Sequence, residues 1–222
     1  LSKEPTPFHF WSVPQREYPS ASVVTAIAKD VDGNILGAVE GGGVFQFNSK
    51  GNLVGHLFEN QTFSSLYKDQ EDNLWFGGRY SGIFMKEPNG RITPLFPEIK
   101  YKDIRDIMGD DKNNLYFSVY GDGFMQYHVP TRTVTNYKSS STELKNNWIN
   151  SFIYSSKELL WIGHCYGIDC FDPQTKKFEH LSAEFSGFIT YSLLEDIKGN
   201  IWAGTNKGLL CCNPSQKTLK HY

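Results

Sequence analysis

Short apolar runs broken by clusters of Gly, Asp and Asn recur along the whole chain, and no window sustains the spacing of an amphipathic helix. The first clear run, Val23 to Lys29, is apolar and β-branched and stops at the turn sequence Asp30 to Gly33. Asn34 to Val39 reads as a second strand, Glu40 to Gly43 as the next turn, Val44 to Asn48 as a third strand and Asn52 to Phe58 as a fourth. The pattern predicts an all-β chain of four-stranded antiparallel units.

That unit repeats. Aligning on one large residue gives GNILGAVEGGGVFQF (33 to 47), DNLWFGGRYSGIFMK (72 to 86), NNLYFSVYGDGFMQY (113 to 127), ELLWIGHCYGIDCF (158 to 171) and GNIWAGTNKGLLCC (199 to 212). The aligned residues Leu36, Trp75, Tyr116, Trp161 and Trp202 lie 39, 41, 45 and 41 residues apart, and a glycine (Gly43, Gly82, Gly123, Gly167, Gly208) keeps step six or seven residues behind each. A strand-rich period near 40 is that of a β-propeller blade. The blades fall at about 23–60, 63–97, 104–138, 148–182 and 189–222 of a single domain spanning 1–222. The segment 6–13 resembles the fourth strands and reads as the outer strand of a preceding blade, so the expectation is an open piece of a larger, seven-bladed propeller. A closed five-blade ring is the alternative.

A blade is sandwiched between two neighbours, so a Trp on its second strand can bury roughly 150–250 Å² against the next blade. At about 25 cal/mol per Å² that amounts to roughly 4–6 kcal/mol as an upper bound. Trp75, Tyr116, Trp161 and Trp202 are therefore read as structural, packed between blades.

Composition narrows the function classes. A formal net charge of −2 with dispersed Lys and Arg offers no nucleic-acid groove, and no apolar run approaches the length of a membrane span, so neither nucleic acid nor direct membrane contact is expected of this segment. Asp30-Val31-Asp32-Gly33-Asn34 begins like a calcium loop, but its Gly comes early and the twelfth position is Gly41, so it is read as a hairpin turn. The cysteines 165, 170, 211 and 212 form no zinc spacing, and no metal or cofactor is expected. Cys170 and Cys212 could meet across a blade interface as a disulfide; reduced, buried thiols are the other reading.

The phrases SLLEDIKGNIWAGTNKGLLCCN (192 to 213) and SLYKDQEDNLWFGGRYSGIFMK (65 to 86) resemble the two-component regulator propeller repeat. The first unit departs from it with Leu36 for Trp, the third with Tyr116 for Trp and Ser118 for Gly, and the fourth by lacking the Asp. The resemblance implies the periplasmic sensor region of a hybrid two-component histidine kinase. It implies further that such a module recognises an oligosaccharide, works within a homodimeric parent and is not itself an enzyme. The alternatives are a propeller lyase, whose repeat is similar, and a protein-interaction scaffold.

Propeller geometry gathers the turns between second and third strands with the links between blades on one rim. There stand Glu40, Arg79, Tyr80, Tyr120, Asp122, His164, Tyr166, Asn206 and Lys207, with Glu59, Asn60, Tyr101, Lys102, Asp103, Asn146, Asn147, Trp148 and Phe188 in the links. Aromatic faces beside amides and charges suit a sugar, whose C–H faces stack while its hydroxyls hydrogen-bond. Arg79, Tyr80, Tyr120, Asp122, His164, Tyr166, Asn206 and Lys207 are the candidate ligand contacts, and no catalytic residue is assigned. His164 stands where the fifth unit has Thr205; it either contacts ligand or hydrogen-bonds the neighbouring loop.

Overall fold

The computed structural model describes residues 23–181, 187–214 and 218–222, so the strand expected at 6–13 lies outside the described residues. Five four-stranded antiparallel sheets follow one another, each ordered as its strands run in sequence. Blade 1 comprises β1 (Val24–Lys29), β2 (Ile35–Val39), β3 (Gly43–Phe47) and β4 (Leu53–Leu57). Blade 2 comprises β5 (Phe63–Lys68), β6 (Leu74–Gly78), β7 (Gly82–Lys86) and β8 (Ile92–Leu95), and blade 3 β9 (Ile104–Gly109), β10 (Asn114–Val119), β11 (Gly123–His128) and β12 (Thr133–Tyr137). Blade 4 comprises β13 (Ile149–Tyr154), β14 (Leu160–His164), β15 (Gly167–Asp172) and β16 (Lys177–His180), and blade 5 β17 (Thr190–Glu195), β18 (Ile201–Thr205), β19 (Gly208–Asn213) and β20 (Thr218–His221). The first strands β1, β5, β9, β13 and β17 pack side by side in that order and form the inner row.

In four of the five blades the first turn is built on one carboxylate. Asp69 Oδ1 accepts the N–H groups of Glu71 (3.0 Å) and Asn73 (2.8 Å), while its Oδ2 accepts the Asn73 amide (3.0 Å) and the Trp75 indole N–H (2.8 Å). Asp196 does the same for Lys198, Asn200 and Trp202, and Asp110 for Lys112, Asn114 and the Tyr116 hydroxyl. In blade 1, where Leu36 has no donor, the Gln46 amide takes the same place on Asp30. Blade 4 has Ser155 instead, and its buried hydroxyl is without a partner.

Three of these aromatics lie between blades. Trp75 packs with Ile104, Ile107 and Phe117 of blade 3, Tyr116 with Phe152, Ile162 and Phe171 of blade 4, and Trp161 with Ile201, Ala203 and Leu210 of blade 5. Trp202, half-buried, stacks on Tyr222 within its own blade, ring centroids 5.7 Å apart. The glycine that keeps step with them opens the third strand at positive φ, as at Gly123 (φ 87°), where a Cβ would lie 2.1 Å from the Tyr137 carbonyl oxygen. All four cysteines are free thiols; Cys170 and Cys212 sit in the core between blades 4 and 5, where burial pushes them up to about 12 and about 11.

On the inner row a side chain of one blade accepts a backbone N–H of the next. Ser65 Oγ takes the Ile107 N–H (3.0 Å), and at the same position of blade 3 Asp106 Oδ2 takes the Phe152 N–H (2.7 Å). Asp106 Oδ1 accepts from Ile107 (2.9 Å) and from the Ser65 hydroxyl (3.3 Å), so one carboxyl joins three blades. It keeps some open surface, yet the protein packed around it leaves little water to stabilise charge, and this desolvation raises it to about 6 against the hydrogen bonds that lower it. A carboxyl that binds its proton more tightly when folded weakens the fold as pH rises from about 4 to about 6, here by about 1–3 kcal/mol. Blades 2, 4 and 5 place Ser65, Ser151 and Ser192 at this position. Asp106→Ser is expected to remove that fall and to be the more stable protein at pH 7.5, as read by urea denaturation across pH; an unchanged profile would contradict the assignment.

Candidate functional site

The turns that follow the second strands fold back onto the linkers entering their own blades. Arg79 N–H bonds the Thr62 carbonyl, Tyr120 N–H that of Asp103, Cys165 N–H that of Trp148 and Asn206 N–H that of Ile189. Turns and linkers therefore share one rim, and the rim residues fall into three groups.

Arg79 pairs with Glu40 (3.4 Å) between blades 1 and 2, and Tyr80, beside Arg79, is exposed. Asn206 and Lys207 stand on blade 5, where the Asn206 side chain accepts the Ile189 N–H (2.8 Å) and the Lys207 ammonium lies over the Phe188 ring. The densest group is between blades 3 and 4. Asp122 lies there between Lys102 (2.5 Å) and Lys138 (3.6 Å), whose charges hold its carboxyl below the usual range. The Tyr120 hydroxyl meets Cys165 Sγ at 3.5 Å, a contact that together with desolvation raises the phenol above its ordinary value.

Over the Tyr120 ring, 3.5 Å from its centroid, lies the guanidinium of Arg105, which also bonds Asp103 (3.1 Å) and Asn150 (2.8 Å). Asn150 in turn donates to the Thr190 carbonyl of blade 5 (2.8 Å). Arg105 and Asn150 are functional candidates that the rim argument does not reach, because they belong to inner strands. Each inner strand breaks register against its second strand near its start, and the break turns Thr25, Ser64, Asn150 and Tyr191 out of the ladder; in blade 3 the irregular stretch includes Arg105. The available signal was an Arg at a position where the other copies carry Thr, Ser, Asn and Tyr.

Two exposed aromatics flank this group. Trp148 is 53% exposed and Tyr166 56%, and Asn146, Asn147 and Asn150 stand close in sequence to Trp148. His164 is elsewhere: only 1% exposed, it lies beneath the rim, its Nδ1 accepting the Tyr166 N–H (3.1 Å) and its Nε2 3.4 Å from Asp169. Of its two readings, the geometry is that of the loop-bonding one. Among the described residues no group of three or more His, Cys, Asp or Glu side chains is placed to hold a metal, and no helix is long and apolar enough to cross a membrane.

Five blades of four strands, two of them turned on an Asp–Asn–Trp hub and two more on variants of it, define a β-propeller. Residues 57–80 and 184–207 each match the family model of the two component regulator propeller. Histidine kinase P4 of Formosa agariphila is 30% identical over 91% of the chain, which spans 20% of that relative's length. Among solved structures, the extracellular domain assigned to the hybrid two component system BT4673 of B. thetaiotaomicron matches with a TM-score of 0.78 at 23% identity, over 90% of this chain and 28% of that one. Virginiamycin B lyase from Staphylococcus aureus matches with 0.73 at 12% identity, over 91% of this chain and 70% of that one, a likeness of fold.

Gly121, at φ 87°, lies under the Trp148 indole, and a Cβ there would come within 3.1 Å of its Nε1. Gly121→Ala is expected to cost about 1–2 kcal/mol in chemical denaturation, from the strained backbone and the displaced indole. A cost under about 0.3 kcal/mol would refute that packing.

Proposed function

We propose that the chain is a non-enzymatic, extracytoplasmic ligand-sensing module of a two-component sensor, that it recognises an oligosaccharide, and that a kinase elsewhere in a homodimeric parent receives the signal. The observation that carries the reading is the exposed pair Trp148 and Tyr166 flanking a cluster of amide, phenol and guanidinium groups on blades 3 and 4. Apolar faces for stacking beside fixed donors and acceptors are what a sugar ring requires. The repeat family, the kinase relative and the extracellular domain of similar fold support the sensor setting. Against a lyase stands the burial of His164 and Asp169, both 1% exposed: that histidine–carboxylate pair does not face a substrate.

The test is a thermal-shift screen of the sensor's extracytoplasmic region against defined oligosaccharides, with a Trp148→Ala/Tyr166→Ala variant in parallel. A glycan at 100 times its dissociation constant should stabilise the parent by about 2.7 kcal/mol and leave the variant unmoved. Equal shifts in both would displace the site, turnover of a ligand would favour the lyase reading, and no shift with any glycan would count against carbohydrate sensing.

A further inference from the structure

The unit between Tyr116 and Trp161 is the longest, 45 residues against 39 or 41 elsewhere, and between β12 and β13 runs the linker 138–148. The linker is built onto the protein. Leu144 is buried in the core between blades 3 and 4, and the Asn147 carbonyl accepts the N–H groups of Gly121 (3.0 Å) and Gly123 (3.1 Å). The Asn147 side chain takes the Ser139 N–H (2.8 Å), and Lys145 N–H donates to Asp169 Oδ2 (2.8 Å). The linker ends in Trp148, whose carbonyl accepts the Cys165 N–H.

Asp169 is the second departure from the repeat, and it occurs at the same place. It stands two residues after the glycine marker on the third strand, where the other units carry Phe45, Phe84, Met125 and Leu210. A carboxylate in an apolar layer is costly unless fully bonded. Asp169 is bonded by the Lys145 N–H and by His180 Nδ1 (2.7 Å), and the buried His164 Nε2, which makes no hydrogen bond, faces it at 3.4 Å. Because His164 Nδ1 accepts the Tyr166 N–H, the neutral ring carries its proton on Nε2, toward Asp169. His180 has left the repeat's pattern as well: the histidines at its position in blades 1 and 5, His56 and His221, bond the carbonyls of Gly42 and Lys207 in the turns between second and third strands. One buried carboxylate thus reaches both elements that present the exposed aromatics, the linker through Lys145 and the 164–166 turn through His164.

We propose that Asp169 is a positioning residue that holds Trp148 and Tyr166 as a pair for stacking a sugar ring, and that the 138–148 linker is the specificity-determining loop of this face. The proposal rests on the oligosaccharide reading for its ligand but not for its mechanics, so its test has two arms. In the sensor's extracytoplasmic region, Asp169→Leu, which restores the residue type of the other units, is expected to raise amide exchange across 139–148 and 164–166 by about tenfold without lowering the melting temperature. Unchanged exchange there would overturn the assignment. If Asp169→Leu does not fold, Lys145→Pro removes the same hydrogen bond from the exposed side and should release the linker alone; unchanged exchange in that variant counts equally against it. The second arm measures binding of cello-, xylo-, manno- and galacto-hexaose. Asp169→Leu should weaken binding as far as Trp148→Ala does, with the double variant no weaker than either, because both act through one indole. Additive losses would overturn the coupling. Released exchange with none of the four hexaoses bound by the parent would uphold the anchor and overturn stacking of neutral hexose and pentose chains.

Discussion

A tryptophan packed between sheets is held best when its indole N–H finds an acceptor, and for Trp75 and Trp202 the acceptor is fixed in advance by the turn that precedes it. The Asp opening that turn binds two backbone N–H groups with one oxygen, and with the other an Asn amide and the indole six residues on. The bonds are strong enough to hold the Asp196 carboxyl well below the usual carboxylate range, the Trp202 indole being the first cause. The residue before the Asn, or before Leu159 in blade 4, is left-handed in each of the five turns: Gly33, Asp72, Asn113, Glu158 and Gly199. Local turn, hydrogen bond and inter-blade packing are one device, and the variants keep its geometry: Tyr116 offers a hydroxyl where Trp75 offers an indole, and Gln46 offers an amide where Leu36 offers nothing.

Repetition of that device supplies a regular scaffold, and chemistry gathers where the repeat is broken. Blades 3 and 4 hold the three most polar departures: Arg105 for Thr, Ser, Asn or Tyr, Asp106 for Ser or Ala, and Asp169 for a large apolar residue. Each is costly in its setting and each is compensated locally, Arg105 by Asp103, Asn150 and the Tyr120 face, Asp106 by N–H groups of two blades, and Asp169 by two histidines and a linker amide. Groups kept at such cost are better explained by what they position than by stability.

The blades were legible in the sequence because their determinants are local: turn residues, a large aromatic and a glycine at fixed offsets, with strand alternation between them. The rim was legible for the same reason, since turns lie where the repeat places them. Arg105 was not, because a register break in the inner strand re-aims it and no period-two pattern encodes a bulge. Asp169 was hidden differently. In GIDCFD Asp169 reads as an outward residue of an alternating strand, and only the packing of blade 3 against blade 4 puts it in the core. His164, read as a rim residue, closes its strand opposite Gly167 and Ile149 and so faces inward, toward Asp169.

The account stands on the coupling between turn carboxylate and buried indole. The measurement that tests it most directly is a double-mutant cycle on Asp69 and Trp75, with Asp69→Ala, Trp75→Phe and the double variant unfolded in urea. If the carboxylate and indole act as one device, the two losses should fall short of additivity by about 1–3 kcal/mol, the range for a hydrogen bond to a charged group. Losses that add to within about 0.5 kcal/mol would mean that turn and aromatic stabilise the blade independently.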